Sequence, residues 1–98
     1  MKLKSTTLNY YLNISKFMEK IDTDTIMGMI VPIGWDRQNN ITDVLITTSG
    51  EREYRVKMDS VGLELLNFIR KRVKIHGIVE QKNSDEWAVK IMSYVVES

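Results

Sequence analysis

The chain offers few groups suited to making or breaking bonds. His76 is its single histidine and it has no cysteine, which excludes disulfides, Cys-based zinc sites and Cys–His nucleophiles. A general base or metal ligand needs convergent partners, and His76 has no second His and no Cys to converge with. Asp22 and Asp24 begin like a calcium loop, but Ile26 occupies the third ligand position. Met27 stands where that loop needs a glycine for its turn. No phosphate-cradling glycine run, nucleophile elbow or zinc spacing occurs. The expectation is a non-enzyme without a cofactor or metal.

What remains is binding chemistry. Arg55 and Lys57 stand two residues apart in an alternating stretch, so they share one face of a strand. Trp35 ends an apolar run and is followed by Arg37 and Gln38, while Lys82 and Asn83 lie in a polar turn. Cations of this kind follow a phosphate backbone, and an exposed aromatic ring offers a sequence-tolerant platform for a base. Each residue also has a plainer role. Arg55 and Lys57 suit a solvated strand face, and Trp35 suits a plug closing one end of the core. The Arg70-Lys71-Arg72-Lys74 cluster beside His76 reads either as a patch for an anionic partner or as a helix end favoured by the macrodipole.

These side chains must be positioned by one small domain, since the chain has 98 residues, 43% of them hydrophobic and 28% charged. Such values are globular rather than disordered. The net charge is +1, which excludes a strongly basic nucleic-acid coat. It is uneven, however: residues 1–21 carry +3, 22–50 carry −3, 51–74 carry +3 and 75–98 carry −2.

Apolar residues at Leu8, Tyr11, Leu12, Phe17, Met18 and Ile21 recur at helical spacing, and Thr6 or Thr7 can cap the start. This predicts an N-terminal helical extension over residues 1–21, ahead of a second unit spanning 22–98. From residue 25 the period becomes two. Strands are expected at 25–35, 41–48, 51–58, 73–80 and 86–96, the first broken near Pro32 and Gly34. Ser49-Gly50 signals a tight hairpin. The third strand turns Tyr54, Val56 and Met58 inward and Glu53, Arg55 and Lys57 outward. A short helix over 61–70, capped by Asp59 or Ser60, presents Val61, Leu65, Leu66 and Ile69. Trp87 alternates with Val89 and Ile91 and is expected in the core.

Five short strands with a helix between the third and fourth is the arrangement of an OB-fold, a five-stranded Greek-key barrel. Gly28 and Gly77 fit places where a barrel strand bends sharply, and Val73-Lys74-Ile75-His76-Gly77-Ile78-Val79 resembles the fourth strand of small bacterial OB domains of the tRNA-anticodon-binding type. The fold expected is therefore mainly β. The leading alternative is an SH3-like or Sm-like barrel, which can also start with a helix; the Sm arrangement lacks a helix before the fourth strand, so Ser60–Arg70 argues for the OB-fold. The resemblance implies an oligonucleotide surface across strands 2 and 3, framed by the loops between strands 1–2 and 4–5. On this chain that surface comprises Leu45, Thr47, Arg55 and Lys57, with Trp35, Arg37 and Gln38 from one loop and Lys82 and Asn83 from the other. Single-stranded DNA or RNA is the implied partner. Asp43 and Glu53 fall on or beside the same face and oppose phosphate.

A second class of function comes from the first strand, which is apolar on both faces. A barrel requires only the inward row to be apolar, so Met27, Met29, Val31 and Ile33 must be covered or sticky. With Ile78 of strand 4 they are expected to form one continuous strip, covered by the N-terminal helix or by a second protein chain. This predicts a protein-interaction or self-association module. No apolar run matches a signal peptide or a membrane span, so a cytoplasmic protein without membrane contact is expected. The sequons at Asn13 and Asn40 read as chance matches.

Overall fold

The computed structural model describes residues 23–50 and 52–97. The helical extension expected over 1–21 and its capping threonines lie outside the described residues, as does Glu51, expected to begin the third strand. The described chain is a closed five-stranded barrel: β1 (Thr23–Trp35), β2 (Ile41–Thr47), β3 (Glu53–Val56), β4 (Arg72–Gln81) and β5 (Trp87–Val96). The strands follow one another round the wall in the order β1-β2-β3-β5-β4, and β4 closes back onto β1. All pairs are antiparallel except β3 with β5. This order is compatible with an OB-like fold. No helix among the described residues is long and apolar enough to cross a membrane.

Alternation of apolar and polar residues builds the wall. Ile26, Ile30, Val44, Ile46, Val56, Val73, Ile75, Val89 and Ile91 point inward and are buried, and Tyr54 joins them. β1 belongs to two pairings at once, and Met29 is opposite both Thr47 of β2 and Arg72 of β4. The strand must bend there to close the barrel, and Gly28 permits it: a Cβ at this position would collide with the Thr47 carbonyl. Gly77 has the same role in β4, where a Cβ would meet the Lys90 carbonyl beside the irregularity at His76/Gly77. Both glycines thus serve the close backbone approach expected of them.

Between β3 and β4 lies a helix, α1 (Ser60–Glu64), which continues as a 3-10 turn at Leu65–Phe68. The Asp59 carboxylate caps it, accepting from the Gly62 N–H at 3.0 Å. Leu65 is its fully buried anchor, with Val61, Leu66, Phe68 and Ile69 packed beside the core. The single helix expected over 61–70 is therefore shorter and tightens early. Arg70 has φ 68, and its N–H bonds to the Ile30 carbonyl at 2.7 Å. The chain thus leaves the helix through a backbone contact with β1. Arg70-Lys71-Arg72 does not decorate a helix end, because no basic residue lies in a last helical turn and Arg72 already begins β4.

Other boundaries move for similar reasons. β1 begins at Thr23, because its first half pairs with β4 from Thr23 opposite Ile78. β3 is only four residues long. The Ser49-Gly50 hairpin is not a two-residue turn: pairing ends at Thr47 opposite Glu53, and Gly50 has no positive φ.

Candidate functional site

Outward positions carry the polar chemistry, and the barrel order decides which of them meet. Arg55 of β3 lies opposite Leu45 on one side and Ala88 on the other. Beyond β5, Ala88 faces Glu80, and Lys90 faces Ile78. The result is a hollow of about 400 Å³ lined by Arg55, Lys57, Ile78, Glu80, Lys82, Ala88 and Lys90. Ile78 and Ala88 supply an apolar floor, and four cations with one carboxylate supply the rim. The carboxylate is engaged, since Lys82 Nζ lies 3.2 Å from Glu80 Oε2. Arg55, Lys57 and Lys90 have no carboxylate partner among the described residues.

The neighbouring hollow, across β2 and β3, is different in sign. It is lined by Ile33, Leu45, Glu53, Arg55, Asn83, Asp85, Glu86 and Trp87, so three carboxylates face one arginine. Thr47 stands opposite Glu53, and its hydroxyl is directed at the Met29 carbonyl at 3.5 Å. Asn83 mainly knits its own loop: its amide donates to Glu86 Oε2 at 3.0 Å, and its side-chain oxygen accepts from the Asp85 N–H. The expected surface is thereby divided. Arg55, Lys57 and Lys82 are brought together, whereas Thr47 and Asn83 fall on the acidic side.

Trp35 ends β1 and Arg37 and Gln38 occupy the β1–β2 turn, and none of the three lines a hollow that contains Arg55. Asp36 builds that turn. Its Oδ1 accepts from the Gln38 and Asn40 N–H groups at 2.8 and 2.9 Å, and its Oδ2 from the Asn40 amide at 3.2 Å. The Asn40 N–H holds the Asp36 carboxyl below its ordinary pKa against the opposing effect of burial, with lesser help from the Gln38 N–H and the Asn40 side chain. Asn39 takes the left-handed conformation this turn needs, with φ 65. Trp35 is 55% exposed and absent from the residues packed on the core, so it does not plug the barrel.

Trp87 has two environments. It packs against the core on one side, with Tyr54 meeting it edge-on at 6.4 Å between ring centroids. Over the ring lies the Arg52 guanidinium, 3.7 Å from its centroid. Trp87 is thus half-buried rather than a core residue, and it lines both the acidic hollow and a larger one of about 700 Å³. Thr48, Gly50, Arg52, Glu53, Ser84 and Asp85 line the latter with it. Arg52, Lys90 and Ala88 were not among the expected site residues. Alternation from Trp87 places Ala88 and Lys90 outward, but only the β3–β5 pairing brings them beside Arg55.

The apolar outer row of β1 has the expected orientation, with Met27 52% exposed and Met29, Val31 and Ile33 half-buried. Its extent is not as expected. Met27 is opposite Lys74 and Met29 opposite Arg72, while Ile78 is opposite Thr23. Lys74 and His76 therefore part Ile78 from Met27, because antiparallel register runs the two apolar ends apart. The strip instead continues into Leu45, the partner of Val31. The sequence matches no protein-family model and no curated protein.

Proposed function

We propose that this domain is an OB-fold binding module for single-stranded nucleic acid, of the kind the fourth-strand resemblance implies, acting as a binder without catalysis. The observation that carries the reading is the hollow over β5, where Arg55, Lys57 and Lys90 surround Ile78 and Ala88 without a free opposing carboxylate. Arg55 and Lys57 are two strand residues apart, about 6.8 Å. That separation lets them follow successive phosphates of an extended strand. Such contacts are sequence-tolerant and weaken with salt. The strand passes over β3 and β5 rather than β2 and β3, since three carboxylates repel phosphate there. Titrating short single-stranded oligonucleotides at low salt tests this reading. Backbone amide shifts should centre on Arg55, Lys57, Ala88 and Lys90; shifts confined to the β1–β2 turn, or none, refute it.

A protein-interaction module is the second reading. Met27, Lys74 and Val95 are aligned across β1, β4 and β5, and Met27, Met92 and Val95 are 52%, 56% and 65% exposed. Apolar groups that open among cations suit an acidic, amphipathic partner or self-association. Sedimentation that shows concentration-dependent association, abolished by Val95→Asp, would favour it over the first.

A further inference from the structure

Trp87 is the largest aromatic surface beside the proposed strand path, yet its outer face is covered. The Arg52 guanidinium lies 3.7 Å above the ring centroid, leaving no gap for another ring. Its only side-chain hydrogen bond among the described residues is a long one, Nη1 to the Tyr54 hydroxyl at 3.5 Å. Among the described residues no carboxylate pairs with Arg52, although Glu53 and Asp85 line the same hollow. A cover held by one exposed cation–π contact is cheap to displace, and stacking of a base on the ring is the stronger interaction. The two carboxylates also bear on what enters. Neither accepts a hydrogen bond among the described residues, and together they outweigh Arg52 in charge, so the hollow disfavours phosphate. It favours a neutral, flat ring with N–H donors at its edge, as carboxylates accept from the amino group of cytosine.

We propose that Trp87 is a stacking platform for a nucleobase bearing an exocyclic amino group, with Arg52 as its displaceable cover and Glu53 and Asp85 as the acceptors that read the amino edge. The site rests on the nucleic-acid reading, and Arg55 links the two, since it lines both the cationic hollow and the acidic one that Trp87 borders.

The test uses the full chain carrying Trp35→Phe, which leaves Trp87 as the sole tryptophan of the two. A deoxycytidine octamer should quench its emission and bind about fivefold more tightly than a thymidine octamer, the discrimination of roughly one donor–acceptor contact. Arg52→Ala, an exposed change that spares the core, should tighten deoxycytidine binding about threefold by removing the competing cover. It should leave the salt dependence unchanged. Trp87→Leu should erase the preference. Octamers that shift the Arg55 and Lys57 amides while Trp87 emission and base preference stay flat overturn the platform and leave the nucleic-acid reading standing. So does equal weakening of both octamers by Arg52→Ala, which would make Arg52 another phosphate contact. If no octamer shifts any amide, both fall. Quenching by an arginine-bearing peptide alone would assign the hollow to a protein cation.

Discussion

Replacing Arg55 and Lys57 together by alanine removes two of the three cations of the β5 hollow that have no carboxylate partner among the described residues. For a single strand the logarithm of the affinity falls with the logarithm of salt at a slope of about −0.7 per phosphate neutralised. Three contacts give a slope of about −2.1, so raising salt fourfold should weaken binding roughly 20-fold. The double variant keeps Lys90, and the same change should then weaken it less than about threefold. Both side chains are exposed, so the fold should be preserved within about 0.5 kcal/mol. Anisotropy of a labelled octamer, followed across the salt series for both proteins, reads the slopes directly. Equal slopes would show that the phosphates lie elsewhere, and the argument from the β3–β5 face would fail.

Three further outcomes follow from the same geometry. Gly28→Ala should destabilise the barrel by about 1–3 kcal/mol in a denaturant titration, because the new Cβ meets the Thr47 carbonyl, which is fixed in the sheet. Asp36 has a depressed carboxyl pKa, so the ties it makes are present above the ordinary carboxylate range and are lost as pH falls through its folded value. The protection factors of the Gln38 and Asn40 amides, taken against the intrinsic exchange rate at each pH, should therefore fall on acidification, and in Asp36→Ala they should already be low at neutral pH. Tyr94 donates to Glu64 Oε1 at 2.7 Å, and this bond, with burial and the Glu64 charge adding to it, raises the phenol above its usual pKa of 10.0. That contribution is complete below pH 10.0 and disappears as pH rises through the folded value. Tyr94→Phe should flatten the stability profile in that alkaline window.

How far these features are legible without the structure depends on the range of the interaction behind them. The inward and outward rows of each strand follow from alternation: Tyr54 and Val56 against Arg55, or Val73 and Ile75 against Lys74. The Asp59 cap and the polar turn around Asp36 are local as well, since each carboxylate bonds backbone within four residues. The helix end was not legible, because Arg70 answers to the Ile30 carbonyl forty residues away in sequence. Trp87 also misled, for alternation cannot distinguish a ring inside the barrel from one at its rim beneath Arg52.

The sequence by itself determined the mainly β class, the positions of the bends at Gly28 and Gly77, the facing of Arg55 and Lys57, and the scarcity of catalytic groups. All of these arise from residue type and short-range periodicity. Tertiary structure alone decided that β3 lies parallel to β5, that Lys90 and Ile78 therefore join Arg55 and Lys57, and that Ile78 is parted from Met27 by Lys74 and His76. It also decided that Arg52 lies on Trp87. The physical reason is closure: pleat alternation specifies a side chain's face, but its neighbours across the wall depend on strand order and register, which the whole barrel selects together.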